Sequence, residues 1–381
     1  MLGLKESRQL DLFPSEKYRC ECYSYLSEQL ITYIGNKRKL LPFIEKAIES
    51  SAKELNKDLV SFADVFAGSG AVSRMARKWS HTLYINDIEE YSAYINSLYH
   101  KNKSQVNIED INRIRVIVNE AVNQNLRPGF ITNLYSPKDE NNITKEDRVF
   151  YTKHNAMFID TARQKIENID EDIKPFLLAP LIQRASVHTN TSGVFKGFYK
   201  NKDGVGQFGG TMQNALTRIC KHIEIPLPVL SNFDREICIS NLEATEFVRA
   251  IPPVDVAYFD PPYNQHPYGS NYFMLNLILN YIEPKDISKV SGITKNWIRS
   301  NYNIKSKSLS SLEELLSSCK SKILLISYNS EGFIQLDKML NMLERLGKVT
   351  LFDYKYNTFR GCRNLSGRAN YVTEFLFKIV R

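Results

Sequence analysis

Between residues 59 and 87 the chain spells out one supersecondary unit almost without interruption. "LVSFADVFAGSG" (59–70) is an apolar run that enters a glycine turn. "AVSRMARKW" (71–79) reads as a short helix, and "TLYIND" (82–87) is a second apolar run ending on an acid. Strand, glycine turn, helix and strand in that order form a βαβ unit, whose two strands lie parallel. Parallel strands are covered by helices on both faces, so this stretch commits the chain to an α/β fold.

Strand-like text returns late: "EICIS" (236–240), "VDVAYFD" (254–260), "KILLISYN" (322–329), "VTLFDYKY" (349–356) and "NYVTEFLFKIV" (370–380). Ahead of the first strand, "KRKLLPFIEKAIESSAKEL" (37–55) has helical periodicity. Residues 88–182 read as mostly helical and polar, with a soft stretch at "SPKDENNITKED" (136–147). Residues 183–222 carry six of the 17 glycines. They also carry six bases (Arg184, Lys196, Lys200, Lys202, Arg218, Lys221) against the single acid Asp203, which predicts a flexible basic segment. It ends in a predicted helix, "TMQNALTRICKHI" (211–223). The sheet is thus written at both ends of the chain. The expected division is 1–100, an insert at 101–229, and 230–381.

A formal charge of +8 over 381 residues is a mild basic bias, compatible with a polyanion partner. No apolar run reaches 18 residues, and "MLGLKESRQLDLF" lacks the pattern of a signal peptide. The six cysteines are scattered, and Cys20 and Cys22 have the wrong spacing for a zinc knuckle. They read as reduced thiols in a cytoplasmic protein, and the expectation is no bound metal and no membrane span.

Four short stretches carry chemistry. In "DVFAGSG" (64–70) small residues let a ligand approach the backbone where a strand enters a helix, and Asp64 can accept from a ligand amine. An ordinary tight βα turn looks the same. Both the GxGxxG dinucleotide pattern and the P-loop "GK[ST]" are missing, which argues against phosphate cradling. In "YINDIE" (84–89) Asp87 ends the second strand, where an acid commonly holds ribose hydroxyls. In "YIGNKRKLL" (33–41) a glycine turn places Lys37 ahead of a helix, aimed at a carboxylate or phosphate or simply starting a basic helix. In "FDPPYN" (259–264) the prolines hold Asp260 extended at a strand's carboxyl end. A fixed carboxylate, the Pro261 carbonyl and the flat ring of Tyr263 suit an amino group on a planar heterocycle.

Taken in order, "YIGNK", "DVFAGSG", "YIND" and "FDPPY" resemble the adenine-specific DNA methyltransferases of the Dam-like, alpha-order group. The motifs span 33–263, and the later strands extend the resemblance over nearly the whole chain. It implies an α/β fold with a Rossmann-like seven-stranded sheet and an inserted, mainly helical target-recognition domain after the second strand. It also implies methyl transfer from S-adenosylmethionine to N6 of adenine in double-stranded DNA, in a restriction-modification setting where a separate endonuclease is the companion.

By the same resemblance, Lys37 meets the methionine carboxylate and Tyr33, Ile34 and Gly35 line that pocket. Asp64, Phe66, Gly68 and Gly70 surround the methionine portion. Asp87 takes the ribose hydroxyls and Ile88 lies against the adenine ring. Glu243, in "SNLEATEF" (240–247), stands where the family more often has Asp. Asp260, Pro261 and Tyr263 are the implied catalytic trio. "QRASVHTNTSGVFKGFYKNK" (183–202) resembles the recognition region, which implies DNA contacts for Arg184, Asn190, Lys196 and Lys200. "RGCRNLSGR" (360–368) offers Arg360, Arg363 and Arg368 to phosphates.

Cytosine-N4 methylation uses the same acceptor logic, though that group more often has Ser in place of Asp260. RNA amine methylation also uses a DPPY-like loop, usually without a large insert. A silent DNA-binding subunit is expected to have lost Asp260 or the glycine turn. No "PC" nucleophile motif for attack on the cytosine ring is present.

Overall fold

The computed structural model describes residues 20–213, 215–357 and 371–381. Its centre is one seven-stranded sheet: β1 (Val60–Asp64), β2 (Ser80–Asn86), β3 (Glu236–Ser240), β4 (Val254–Phe259), β5 (Ser321–Asn329), β6 (Lys348–Asn357) and β7 (Tyr371–Val380). The strand order is β3-β2-β1-β4-β5-β7-β6. The first five strands run parallel, while β7 is antiparallel to both β5 and β6. From β1 the chain first steps outward to β2 and β3, then returns to the other side of β1 with β4. The β1–β4 boundary is therefore the switch point, where open α/β sheets leave a crevice beyond their carboxyl ends. Register brings Asp64 opposite Tyr258 there, so the tip of β1 lies beside the start of the Asp260 loop.

The sheet is buried on both faces because its strands are apolar on both. All six residues of β4 are buried. Phe62, Leu83, Val256 and Leu325 share a core with the helices Leu41–Glu54 and Ala71–Ala76. Ala63, Ala257, Phe259 and Leu324 face the opposite way, onto Ala244–Ala250, Ser308–Ser318 and Leu336–Leu343.

A separate core gathers the helices between β2 and β3: Glu90–Tyr99, Ile108–Gln124, Phe130–Tyr135, Lys153–Ile166 and Lys174–Val187. This core reaches beyond the expected 101–229. It takes in Tyr91, Ile95 and Leu98, and it recruits Phe273–Asn280, whose Phe273, Met274, Leu275 and Ile278 are buried in it. The segment following the Asp260 loop is thus anchored in the helical region.

The predicted helix over 211–223 is cut to Leu216–Cys220. Gln213 lies at φ +51°, which stops a right-handed helix before it. Beyond it, the Asn155 and Asn119 side chains accept from the amides of Ile223 and Ile225 and hold the chain extended. Among the described residues no helix is long and apolar enough to cross a membrane.

Candidate active site

At the carboxyl ends of β1, β2 and β4 lies a cavity, partly open to solvent. Its wall holds Tyr33, Gly35, Lys37, Asp64, Phe66, Gly68, Asp87, Ile88, Glu243 and Asp260. The topology alone brings these together, since they come from five separate stretches of sequence. Ile34, Gly70, Pro261 and Tyr263 adjoin lining residues in sequence but are not themselves part of the wall.

The glycine turn is left-handed at two points, Gly68 at φ +52° and Gly70 at φ +70°. A Cβ on Gly70 would meet Oδ1 of Asn96 at 2.0 Å, and one on Gly68 would touch the Tyr33 ring at 3.0 Å. Asp87 fastens this turn to β2. Its Oδ2 accepts from the Gly68 amide at 2.7 Å and its Oδ1 from the Glu89 amide at 2.9 Å. Burial pushes the Asp87 carboxyl above the usual carboxylate range, against the pull of those two amides.

Asp64 is buried, and the Ser73 hydroxyl donates to its Oδ2. Its Oδ1 is buried without a hydrogen-bond partner. Burial raises its pKa to about 7, opposed by Ser73 and reinforced by the negative charge of Asp260 and Asp87. Glu243 caps the helix Ala244–Ala250, accepting from the amides of Thr245 and Glu246. Its role at the rim is therefore partly structural.

Asp260 follows β4 directly and stays 18% exposed toward the cavity. Lys37 does not stand apart from it as a lone cation. Its ammonium is 3.1 Å from Asp260 Oδ1 and 2.8 Å from Glu374 Oε1 on β7. The sequence reading assigns Lys37 a ligand carboxylate and names neither of these protein partners for it. Burial raises the Asp260 carboxyl to about 6, with Lys37 pulling it down and Glu374 pushing it up. The Tyr263 ring lies edge-on to Tyr328 at 6.1 Å and 5.8 Å from the Lys37 ammonium. Ile34 joins the site through its backbone: its amide donates to the Tyr272 hydroxyl and its carbonyl accepts from that of Tyr268. Those two rings stack on Tyr33 at 4.6 and 4.8 Å.

The basic segment divides. Lys196 is exposed and reaches His266, in the loop after Tyr263, at 3.2 Å. Lys200 lies 5.0 Å from the Phe198 ring, beside the bridge it forms with Gly206. Arg184 is half-buried on the helix Lys174–Val187. Asn190 is corrected: it is fully buried, donating to the Val149 and Gln207 carbonyls and accepting from the Gly209 amide. Its side-chain capacity goes into shaping the loop, with no face toward a base. Arg360, Arg363 and Arg368 lie outside the described residues.

Several cavity residues escaped the sequence reading. Tyr258, Pro262, Tyr268 and Tyr302 line it, and so does Glu89, buried and raised to about 8 by desolvation and the neighbouring Asp87 charge. Glu374 left a legible trace: it is the lone acid in the apolar strand "YVTEFLFKIV".

A mixed sheet of this order, with acids at the tips of its first, second and fourth strands around one cavity, is the arrangement expected of a Rossmann-like methyltransferase. Residues 33–342 match the profile of the D12 class N6 adenine-specific DNA methyltransferases. The chain is 31% identical to type II methyltransferase M.CviAII of Paramecium bursaria Chlorella virus 1, over 91% of this chain and 97% of that one. It is 29% identical to M.NlaIII of Neisseria lactamica, over 91% and 98%. To the modification methylase StsI of Streptococcus sanguinis the identity is 27%, over 92% of this chain and 52% of the other. The chain belongs to the D12 class family, and it is a DNA adenine methyltransferase.

Proposed function

We propose that the cavity holds S-adenosylmethionine and that Asp260 receives the exocyclic amine of an adenine flipped out of double-stranded DNA. The observation that carries this reading is a single cavity wall shared by Asp64, Asp87 and Asp260. The residues fit the ligand's functional groups. The orphaned Oδ1 of Asp64 is an acceptor for an ammonium. Asp87 offers its remaining lone pairs to a ribose diol, and the left-handed glycines allow close backbone approach. Two of the three N–H groups of Lys37 meet Asp260 and Glu374, which leaves the third for a ligand carboxylate. Phe66 and Ile88 are the apolar contacts, and Glu243 stands at the rim.

When bound, this group supplies an electrophilic sulfonium methyl. The chain's part is to make the amine nucleophilic. The lone pair of an aromatic amine is delocalised into its ring, so hydrogen bonds that pull the nitrogen toward a tetrahedral shape free it for attack. Asp260 and the Pro261 carbonyl provide those bonds, and Tyr263 supplies the aromatic surface beside them. A base must leave the duplex to arrive there. Residues 101–229 serve as the target-recognition region, with Lys196 and Lys200 on phosphates and Arg184 in support. The type II names of the relatives support a modification role beside a separate restriction endonuclease.

The test is methylation-sensitive sequencing of DNA from cells expressing the protein, beside an Asp260→Ala control. N6-methyladenine at a fixed site, absent from the control, is expected. N4-methylcytosine, or methylation confined to RNA, would overturn the reading.

A further inference from the structure

The ion triad raises a question that methyl transfer alone does not answer: why β7 contributes a carboxylate to the catalytic end of the sheet. Glu374 is 1% exposed and Lys37 5%. The Glu374 Oε1 accepts from the Ser327 hydroxyl at 2.7 Å and from Lys37 at 2.8 Å. Its Oε2 is buried without a hydrogen-bond partner. An orphaned carboxylate oxygen in a strand interior is costly. Filling space between β5 and β7 does not require it, since an apolar side chain avoids that cost.

The geometry shows what the carboxylate does to its neighbour. Lys37 sits closer to Glu374 than to Asp260, and the three groups sum to one negative charge. With Glu374 absent, the buried ammonium would belong to Asp260 alone. A carboxylate clamped by its own counter-ion is a weaker acceptor for an incoming amine. We infer that Glu374 is a positioning residue for methyl transfer: it draws the Lys37 ammonium partly away from Asp260 and so keeps that carboxylate able to take the target amine.

The inference rests on Asp260 as the amine acceptor. Asp260 is faced by Lys37 from the turn before the first long helix, by Glu374 from β7 and by Asp64 from β1. Tyr258 faces it from its own strand, and Tyr263 and Tyr268 from the loop beyond. Of these, Glu374 and Asp64 favour the protonated form of Asp260 and Lys37 the ionised one. Replacing Glu374 by a neutral isostere therefore lowers the pH at which Asp260 titrates.

The experiment uses the full chain labelled with ¹³C at its Asp carboxyls, with Asp260→Asn assigning the signal, and single-turnover methylation of duplex DNA across pH. In Glu374→Gln the Asp260 signal is expected to titrate about one pH unit lower, a typical size for a partner charge. The acid limb of the rate should move with it and the plateau should fall about tenfold. Glu374→Asp, which keeps the charge, should restore the limb. Ser327→Ala strips a donor from Glu374, tightens its hold on Lys37 and should move the titration the opposite way, so the inference stays testable if Glu374→Gln fails to fold. An Asp260 titration unmoved in the folded variants, or a wild-type rate in Glu374→Gln, overturns it. Asp260→Asn methylating at the wild-type rate would instead remove the acceptor reading beneath it.

Discussion

Replacing Gly70 by Ala should destabilise the protein by about 3 kcal/mol, and the parts can be traced. Gly70 lies at φ +70°, where a side chain costs about 1 kcal/mol of backbone strain. The new Cβ would lie 2.0 Å from Oδ1 of Asn96, which no van der Waals contact permits. Asn96 must therefore swing away. It then gives up the bonds its Nδ2 makes to the Gly68 carbonyl at 3.3 Å and the Ser92 carbonyl at 3.0 Å, together about 2 kcal/mol. Asn96→Ala alone loses those same bonds and should cost about 2 kcal/mol. The double variant has the strain and the lost bonds but no clash, so it should match Gly70→Ala at about 3 kcal/mol, short of the additive sum of about 5. Urea unfolding of the four proteins, followed by circular dichroism, measures the cycle. A double variant that loses the full sum would refute the steric argument. Both single variants take one of two donors from the Gly68 carbonyl, which keeps the Ser92 hydroxyl at 2.6 Å, so S-adenosylmethionine binding should weaken only modestly.

The remaining expectations concern the site. Asp64 titrates near 7 in the folded protein and near 4 unfolded, so the folded state binds the extra proton between those values. Stability from this group is full below about pH 4 and is lost as pH rises through about 7, and Asp64→Asn should remove that dependence in thermal melts. Because an ammonium needs the ionised form, calorimetry should show S-adenosylmethionine binding with proton release at pH 6 and tightening toward pH 8; a flat profile would take the ammonium away from Asp64. Asp260→Ala should slow single-turnover methylation at least about a hundredfold, roughly 2.7 kcal/mol, with cofactor affinity retained. Lys196→Ala with Lys200→Ala should flatten the salt dependence of DNA binding by up to about 0.9 in log–log slope per lost phosphate contact. An unchanged slope would move that surface elsewhere.

What the sequence made legible follows from local steric rules. The strands were readable because burial on both faces leaves unbroken apolar runs such as "VDVAYF". Asp64, Asp87 and Asp260 were readable because an acid that ends a buried run must sit at the sheet's rim. Side-chain partners were not readable, since they depend on which distant strands become neighbours. Asn190 reads as a DNA contact while it stands in a string of basic residues and glycines. Only the fold reveals that Val149, Gln207 and Gly209 surround it. Lys37 has the same history. Its glycine turn aims it toward the cavity, as the sequence suggests, but its closest partner arrives on the last strand, after the sheet has reversed direction. That reversal puts β7 beside β5, with Glu374 within reach of Ser327 and of Lys37. A chain with all its strands parallel would need another crossover to bring a carboxylate to this place. The antiparallel pairing of β7 with β5 and β6 delivers it directly, which links the reversed edge of the sheet to the charge balance at Asp260.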